Sequence, residues 1–152
     1  MSNIQNRKNG EKTKRKDKQM RISTKGRHAL MAMVDLANHG GHERTIPLAE
    51  IAQRQLISLS YLEQLVAKLK KEKLVKSTRG PGGGYMLALK PAEISVQKIV
   101  QAVDIFPSLQ EEAEDKEQTA RYLTEAVWYK AGLKLQDYLK SITLEDVLQN
   151  QV

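Results

Sequence analysis

Between Pro47 and Tyr85 the chain carries two short amphipathic patterns, a tight connection between them, and then a basic hairpin whose turn is almost all glycine. Pro47 sits where a first-turn proline is tolerated and opens a helical pattern to about Arg54, with Leu48, Ile51 and Ala52 as its apolar set. Ser58 suits the cap of a second pattern running to about Lys71, in which Leu62, Leu65, Val66 and Leu69 recur at helical spacing. Leu74–Thr78 and Tyr85–Leu89 then read as two strands around Gly80-Pro81-Gly82-Gly83-Gly84, because glycine supplies the positive φ values a tight loop requires.

The flanking sequence completes the outline. Ser23 caps a helix expected to reach about Asn38, with Gly40 beyond its end and Leu30, Met33, Val34 and Ala37 expected on its core side. Ser95 caps another, to about Val103, with Val96, Ile99, Val100 and Val103 apolar. A long helix is expected over about Thr119–Lys140. Its Leu123, Ala126, Val127, Leu133, Leu135 and Leu139 give it more apolar surface than one small domain requires. Thr143 with Asp146 three residues on resembles a capping pair for a last short helix. The expected organisation is a disordered basic tail over 1–19, a DNA-binding unit over 20–104, an acidic linker over 105–118, and a long helix with a C-terminal segment over 119–152. The expected fold class is mainly α with a small β-hairpin wing: a winged helix-turn-helix plus a long C-terminal helix.

Composition removes several function classes. The net charge of +7 is unevenly spread. Residues 1–19 hold seven Lys/Arg against Glu11 and Asp17, residues 20–104 hold 13 basic and 7 acidic side chains, and residues 105–152 hold 5 basic and 9 acidic ones. One basic face for nucleic acid and a separate face for another task fit that asymmetry. No apolar run spans a membrane, since Asp35 interrupts the best candidate, His28–Ala37, and no apolar stretch follows the charged N-terminus as a secretory signal would need. A cytoplasmic protein is expected. The chain has no cysteine, which excludes disulfides, Cys-zinc sites and thiolate-held iron–sulfur clusters. No catalytic spacing emerges, and no enzyme is expected. His39, His42 and Glu43 read as loop side chains rather than a metal site, and the acidic cluster Glu111–Glu117 reads as a solvated linker.

The polar face of Ser58–Lys71 carries the chemistry. Gln64 suits adenine and Glu63 suits the cytosine amino group. Ser60, Tyr61 and Lys68 suit phosphates, which set register without reading sequence. Lys76 and Arg79 lead into the glycine turn. A tip of so little bulk, at Gly82 and Gly83, approaches a minor groove closely, and Arg79 supplies the charge. No Gly-Lys-Ser/Thr follows, so this is not a nucleotide-binding loop. Double-stranded DNA is the expected partner.

At Ile57-Ser-Leu-Ser-Tyr-Leu-Glu-Gln-Leu and Arg79-Gly-Pro-Gly-Gly-Gly-Tyr the chain resembles IscR and its relatives, dimeric winged-helix regulators of bacteria. Arg21-Ile-Ser-Thr-Lys-Gly-Arg, Ala102-Val-Asp, Leu123-Thr-Glu-Ala-Val-Trp and Ile142-Thr-Leu-Glu extend the likeness over roughly residues 20–150. The resemblance implies a homodimer, paired through the long C-terminal helix, on an approximately palindromic operator. By position it implies Ser60, Glu63 and Gln64 as base readers and Arg79 as the minor-groove residue. IscR holds its cluster with three cysteines and a histidine before and at the start of the long helix. Here that loop, 105–121, has no cysteine, and Tyr122 and Glu125 stand at the last two ligand positions. The expectation is a transcriptional regulator, a repressor, with no cluster or other cofactor. Two alternatives share the fold: an adaptor working through a regulatory protein partner, and a sensor of a metal or ligand without cysteine, using Glu125 with a histidine.

Overall fold

The computed structural model describes residues 22–104 and 120–152, apart from the side chains of residues 121 and 122. The tail expected over 1–19 and the linker expected over 105–118 lie outside the described residues. The elements in order are α1 (Thr24–His39), α2 (Leu48–Gln55), α3 (Leu59–Lys71), β1 (Val75–Thr78), β2 (Gly84–Leu87), a 3-10 turn (Pro91–Glu93), α4 (Val96–Val103), α5 (Ala120–Ser141) and α6 (Leu144–Leu148). This is the expected winged helix-turn-helix with a long C-terminal helix. No helix among the described residues is long and apolar enough to cross a membrane.

The helix starts follow from side-chain caps. Ser23 Oγ accepts from the Gly26 amide at 3.1 Å, Ser58 Oγ from that of Tyr61 at 3.2 Å, and Ser95 Oγ from that of Lys98 at 3.2 Å. Each cap satisfies a donor the helix cannot, a contribution of about 1 kcal/mol. Pro47 differs from expectation by one position: it is the N-cap of α2, in extended conformation, rather than part of the first turn. The buried stripe of α1 includes the expected Met33, and the other expected residues pack against it. Ala29, Ala32, Met33 and Leu36 form it, while Leu30, Val34 and Ala37 flank it half-buried. Small residues hold the centre because α4 lies close: a Cβ on Gly26 would come within 3.0 Å of Val100 Cγ1.

The apolar stripes of α2 and α3 join this core with Ile46, Leu74, Val75 and Leu87. Leu144 of α6 is fully buried in the same core. Backbone bonds tie it there, since Val96 N donates to Ile142 O at 2.9 Å and Leu144 N donates to Ile94 O at 2.8 Å. Val96, Val100, Leu139 and Ile142 pack together where α5 ends. Leu144, near the C-terminus, thus packs into the core built by α1, α2 and α3. The other end of α5 leaves Leu123, Val127 and Trp128 exposed.

The one buried charged side chain among the described residues is Asp35 on α1. Arg54 grips it with two parallel bonds, Nη2 to Oδ1 at 2.7 Å and Nε to Oδ2 at 3.0 Å, and Gln55 Nε2 donates to Oδ2 at 2.7 Å. Burial alone pushes the Asp35 carboxyl up. The hydrogen bonds from Arg54 and Gln55 and the charges of Arg54 and His39 outweigh it and hold the group below the ordinary 3.8. Its stabilisation is therefore complete above the ordinary aspartate range and is lost as pH falls through the lowered value.

Directly after α2, Leu56 takes the left-handed conformation at φ 55° with its side chain 91% exposed. The conformation costs a side-chain-bearing residue about 1–2 kcal/mol and glycine far less.

Arg54→Ala leaves a buried carboxylate unpaired and should lose about 3–5 kcal/mol, whereas Asp35→Asn leaves an arginine that water can reach and should lose about 1–3 kcal/mol. Urea unfolding at fixed protein concentration measures both, and the gap between wild type and Asp35→Asn should narrow below pH 3.8. Leu56→Gly should raise stability by about 0.5–1 kcal/mol in the same assay, the relief of strain exceeding the added chain entropy.

Candidate nucleic-acid interface

The inner stripe of α3, Leu62, Leu65, Val66 and Leu69, is buried, and its outer residues Ser60, Glu63, Gln64 and Lys68 are exposed. The helix is thus fixed by one side and free on the other, as a groove-reading helix requires. Tyr61 departs from that free set. It is half-buried against the core, and its hydroxyl lies 3.1 Å from Nδ1 of His28 on α1. The two rings meet edge to face at 5.5 Å. Tyr61 is held in place by α1 and stands at the border of the open face.

The hairpin is antiparallel, with Val75 opposite Leu87 and Thr78 opposite Gly84. Lys70 at the end of α3 donates from Nζ to Ser77 Oγ at 2.6 Å, which ties the wing to the helix. Successive strand residues face opposite sides. Ser77 and the buried Val75 therefore face α3, and Lys76 lies on the outer side of the wing. The structure does not bring Lys76 to the α3 side. Arg79 follows β1 and is exposed, without a hydrogen bond or ion pair among the described residues.

The tip is a turn in which Gly83 N donates to Gly80 O at 2.9 Å, with Pro81 second and Gly82 third at φ 74°. A type II turn requires that positive φ at its third residue. A Cβ on Gly82 would meet nothing within 4 Å, so the tip is bare. Gly83 and Gly84 have a different reason. A Cβ on Gly83 would stand 2.3 Å from the Thr78 carbonyl, and one on Gly84 would stand 2.5 Å from the Ile46 backbone. The glycine run, read from sequence as positive-φ residues and a slim tip, is partly a packing requirement of the hairpin itself.

Sequence reasoning missed His28, the Lys70–Ser77 bond and the exposed Leu59 at the start of α3. His28 meets a partner 33 residues away, for which no local pattern exists. Leu59 lies at helical spacing from the buried stripe but is exposed, and sequence reasoning gave it no role. Histidines 39 and 42 do not form a pair of ligands: His39 Nδ1 donates to the Asp35 carbonyl at 2.8 Å, and no group of three His, Asp or Glu side chains among the described residues is placed to hold a metal ion.

Comparison with known proteins agrees with this geometry. A family profile, Rrf2, described as an iron-dependent transcriptional regulator, matches residues 22–150. The chain is 44% identical over 134 residues to the HTH-type transcriptional regulator IscR of Photorhabdus laumondii, covering 87% of this chain and 81% of that protein. IscR of Erwinia tasmaniensis is 43% identical over the same shares. Among solved structures, T. potens IscR superposes with a TM-score of 0.70 at 40% identity, covering 88% of this chain and 89% of that one. CymR, the global cysteine regulator of B. subtilis, gives 0.70 at 36% identity, covering 86% and 98%.

The open face of α3 makes its two kinds of side chain separable. Lys68→Ala should weaken binding to every duplex alike and lower the salt slope by about 1, while Gln64→Ala should relax the preference at one base pair by about 1–3 kcal/mol and leave the slope unchanged. Anisotropy titrations across a salt series, with single-base operator variants, read both effects.

Proposed function

The chain belongs to the Rrf2 family of transcriptional regulators, and we propose that it acts as a homodimeric repressor on an approximately palindromic operator, without an iron–sulfur cluster. The observation that carries the reading is the division of α3: one stripe locked in the core, the opposite one polar and free, with a bare, basic wing beside it. In this reading Glu63 and Gln64 meet base edges in the major groove, and Ser60 and Lys68 meet phosphates. Tyr61 presents whatever part of its ring His28 leaves open. Arg79, unpaired among the described residues, enters the adjacent minor groove behind the bare turn at Gly82. Lys76, on the outer side of the wing, contributes long-range attraction.

The homodimer is supported by α5. Leu123 and Val127, 63% and 57% exposed, lie one turn apart, and an equivalent helix of a second copy would cover them. Twofold pairing of two identical readers gives a palindromic site. Repression requires only occupancy of the operator, and such occupancy in a bacterium takes place in the cytoplasm.

The family description names iron, and the residues present do not fit a cluster. Thiolates hold such clusters, and the sequence contains no cysteine. The open face of α3 owes nothing to such a group, since its caps and core contacts lie within the chain.

Purified protein should bind duplex from upstream of its own gene selectively over random DNA, unaffected by iron chelators. Arg79→Ala should cost about 1–3 kcal/mol of that binding. Unchanged affinity and selectivity in Arg79→Ala would remove the wing from the interface. Stoichiometric iron and sulfide in the active protein would overturn the cluster-free reading.

A further inference from the structure

The wing is held by more than its own hairpin. The connection between α1 and α2 runs beside β2 as an incomplete third strand. Leu87 N donates to Gly41 O at 2.9 Å, while Ile46 and Tyr85 exchange backbone hydrogen bonds of 2.8 and 2.9 Å. At the tip, Thr45 Oγ1 donates to the Gly82 carbonyl at 2.7 Å. The amide that follows, Gly83 N, donates to Gly80 O at 2.9 Å. The peptide unit between Gly82 and Gly83 is therefore fixed at its carbonyl by the connection and at its amide by the turn. Among the described residues, Thr45 supplies the one side-chain hydrogen bond to the tip.

We propose that Thr45 is a positioning residue for the wing: its hydroxyl fixes the Gly82 carbonyl and so sets where Arg79 stands relative to α3. The inference rests on the reading that the wing enters DNA. A turn of three glycines and a proline has little to order it once its backbone bonds loosen, since glycine has the most conformational freedom to lose. A tip left free in solution must be ordered on binding, which lowers affinity; a tip held beforehand avoids that loss. Thr45 does this from a connection that reads, in sequence, as an unremarkable loop. The bond is exposed, so its net contribution is that of one ordinary hydrogen bond, and its loss should change affinity by about three- to tenfold.

The test uses the full chain and a duplex that the wild-type protein selects from a random-sequence pool. Thr45→Val keeps the shape and removes the donor; Thr45→Ser keeps the donor. Hydrogen exchange at the Gly83 amide, followed by NMR without DNA, reports the tip directly. Thr45→Val should speed that exchange and weaken binding three- to tenfold, Thr45→Ser should restore both, and in an Arg79→Ala background Thr45→Val should cost nothing further. If Arg79→Ala weakens binding but Thr45→Val does not, the positioning role is overturned and the wing reading stands. If the two losses simply add, Thr45 acts on DNA independently of Arg79, and the role is again overturned. If Arg79→Ala alone changes nothing, the wing reading itself has failed and the inference falls with it. Matching thermal melts of the Val and Ser variants would exclude misfolding as the cause.

Discussion

A buried carboxylate is unstable in a protein interior unless its charge and its lone pairs are both met, and Asp35 meets that demand chiefly from α2, with His39 of α1 nearby at 3.4 Å. Arg54 covers both oxygens with its fork, and Gln55 adds a further donor. Both partners lie at the last turn of α2, so the pairing fixes where that helix ends. Leu56 turns through the left-handed region, and Ser58 caps α3 two residues later. The ion pair between α1 and α2 thus anchors the end of α2 from which the chain turns into α3. The arrangement depends on orientation more than on stability, since well-packed apolar residues can replace a buried pair without loss.

The same economy of contact holds the wing. Close backbone approach at Gly84 lets the α1–α2 connection run against β2, and the bonds between Ile46 and Tyr85 make that approach a strand pairing. A two-stranded hairpin in water is marginal. Here it gains a partial third strand on one side and the Lys70–Ser77 bond to α3 on the other. Helix α3 and the wing are consequently tied together up to the turn at Gly80–Gly83, and only the tip is left with little cover.

What sequence made legible was what adjacent residues decide. The serines at 23, 58 and 95 and the Thr143–Asp146 pair mark helix starts because a cap acts over three residues. The stripe of α3 is legible because its four apolar residues repeat at helical spacing. The core side of α1 was legible at Leu30, Met33, Val34 and Ala37, but the deeper burial of Ala29 and Ala32 was not, since it depends on the proximity of α4 felt at Gly26. Asp35 showed in sequence only as a break in an apolar run, its partners being nearly 20 residues away. The outer face of α3 was legible, yet Tyr61 was not separable from it until His28 was placed. The burial of Leu144 was hidden for the same reason: a residue near the end of the chain completes a core begun by α1, and no pattern spans that distance.

Glu63 shows how the proposed reader would reject as well as bind. It is exposed in the middle of the free face of α3, and it makes no ion pair among the described residues. A carboxylate brought against a duplex meets phosphate charge and loses water, so on most sequences it opposes binding. A cytosine amino group at the right step gives it a donor and reverses that sign. Residues 20–104 carry 13 basic side chains against 7 acidic ones, an excess that attracts any duplex. An attraction common to all duplexes cannot discriminate between them, since specificity is a difference of affinities. A single carboxylate that penalises every site lacking its donor supplies such a difference. It works only where the helix cannot shift away, which is the condition the Asp35–Arg54 pair, the Ser58 cap and the Lys70–Ser77 bond together impose.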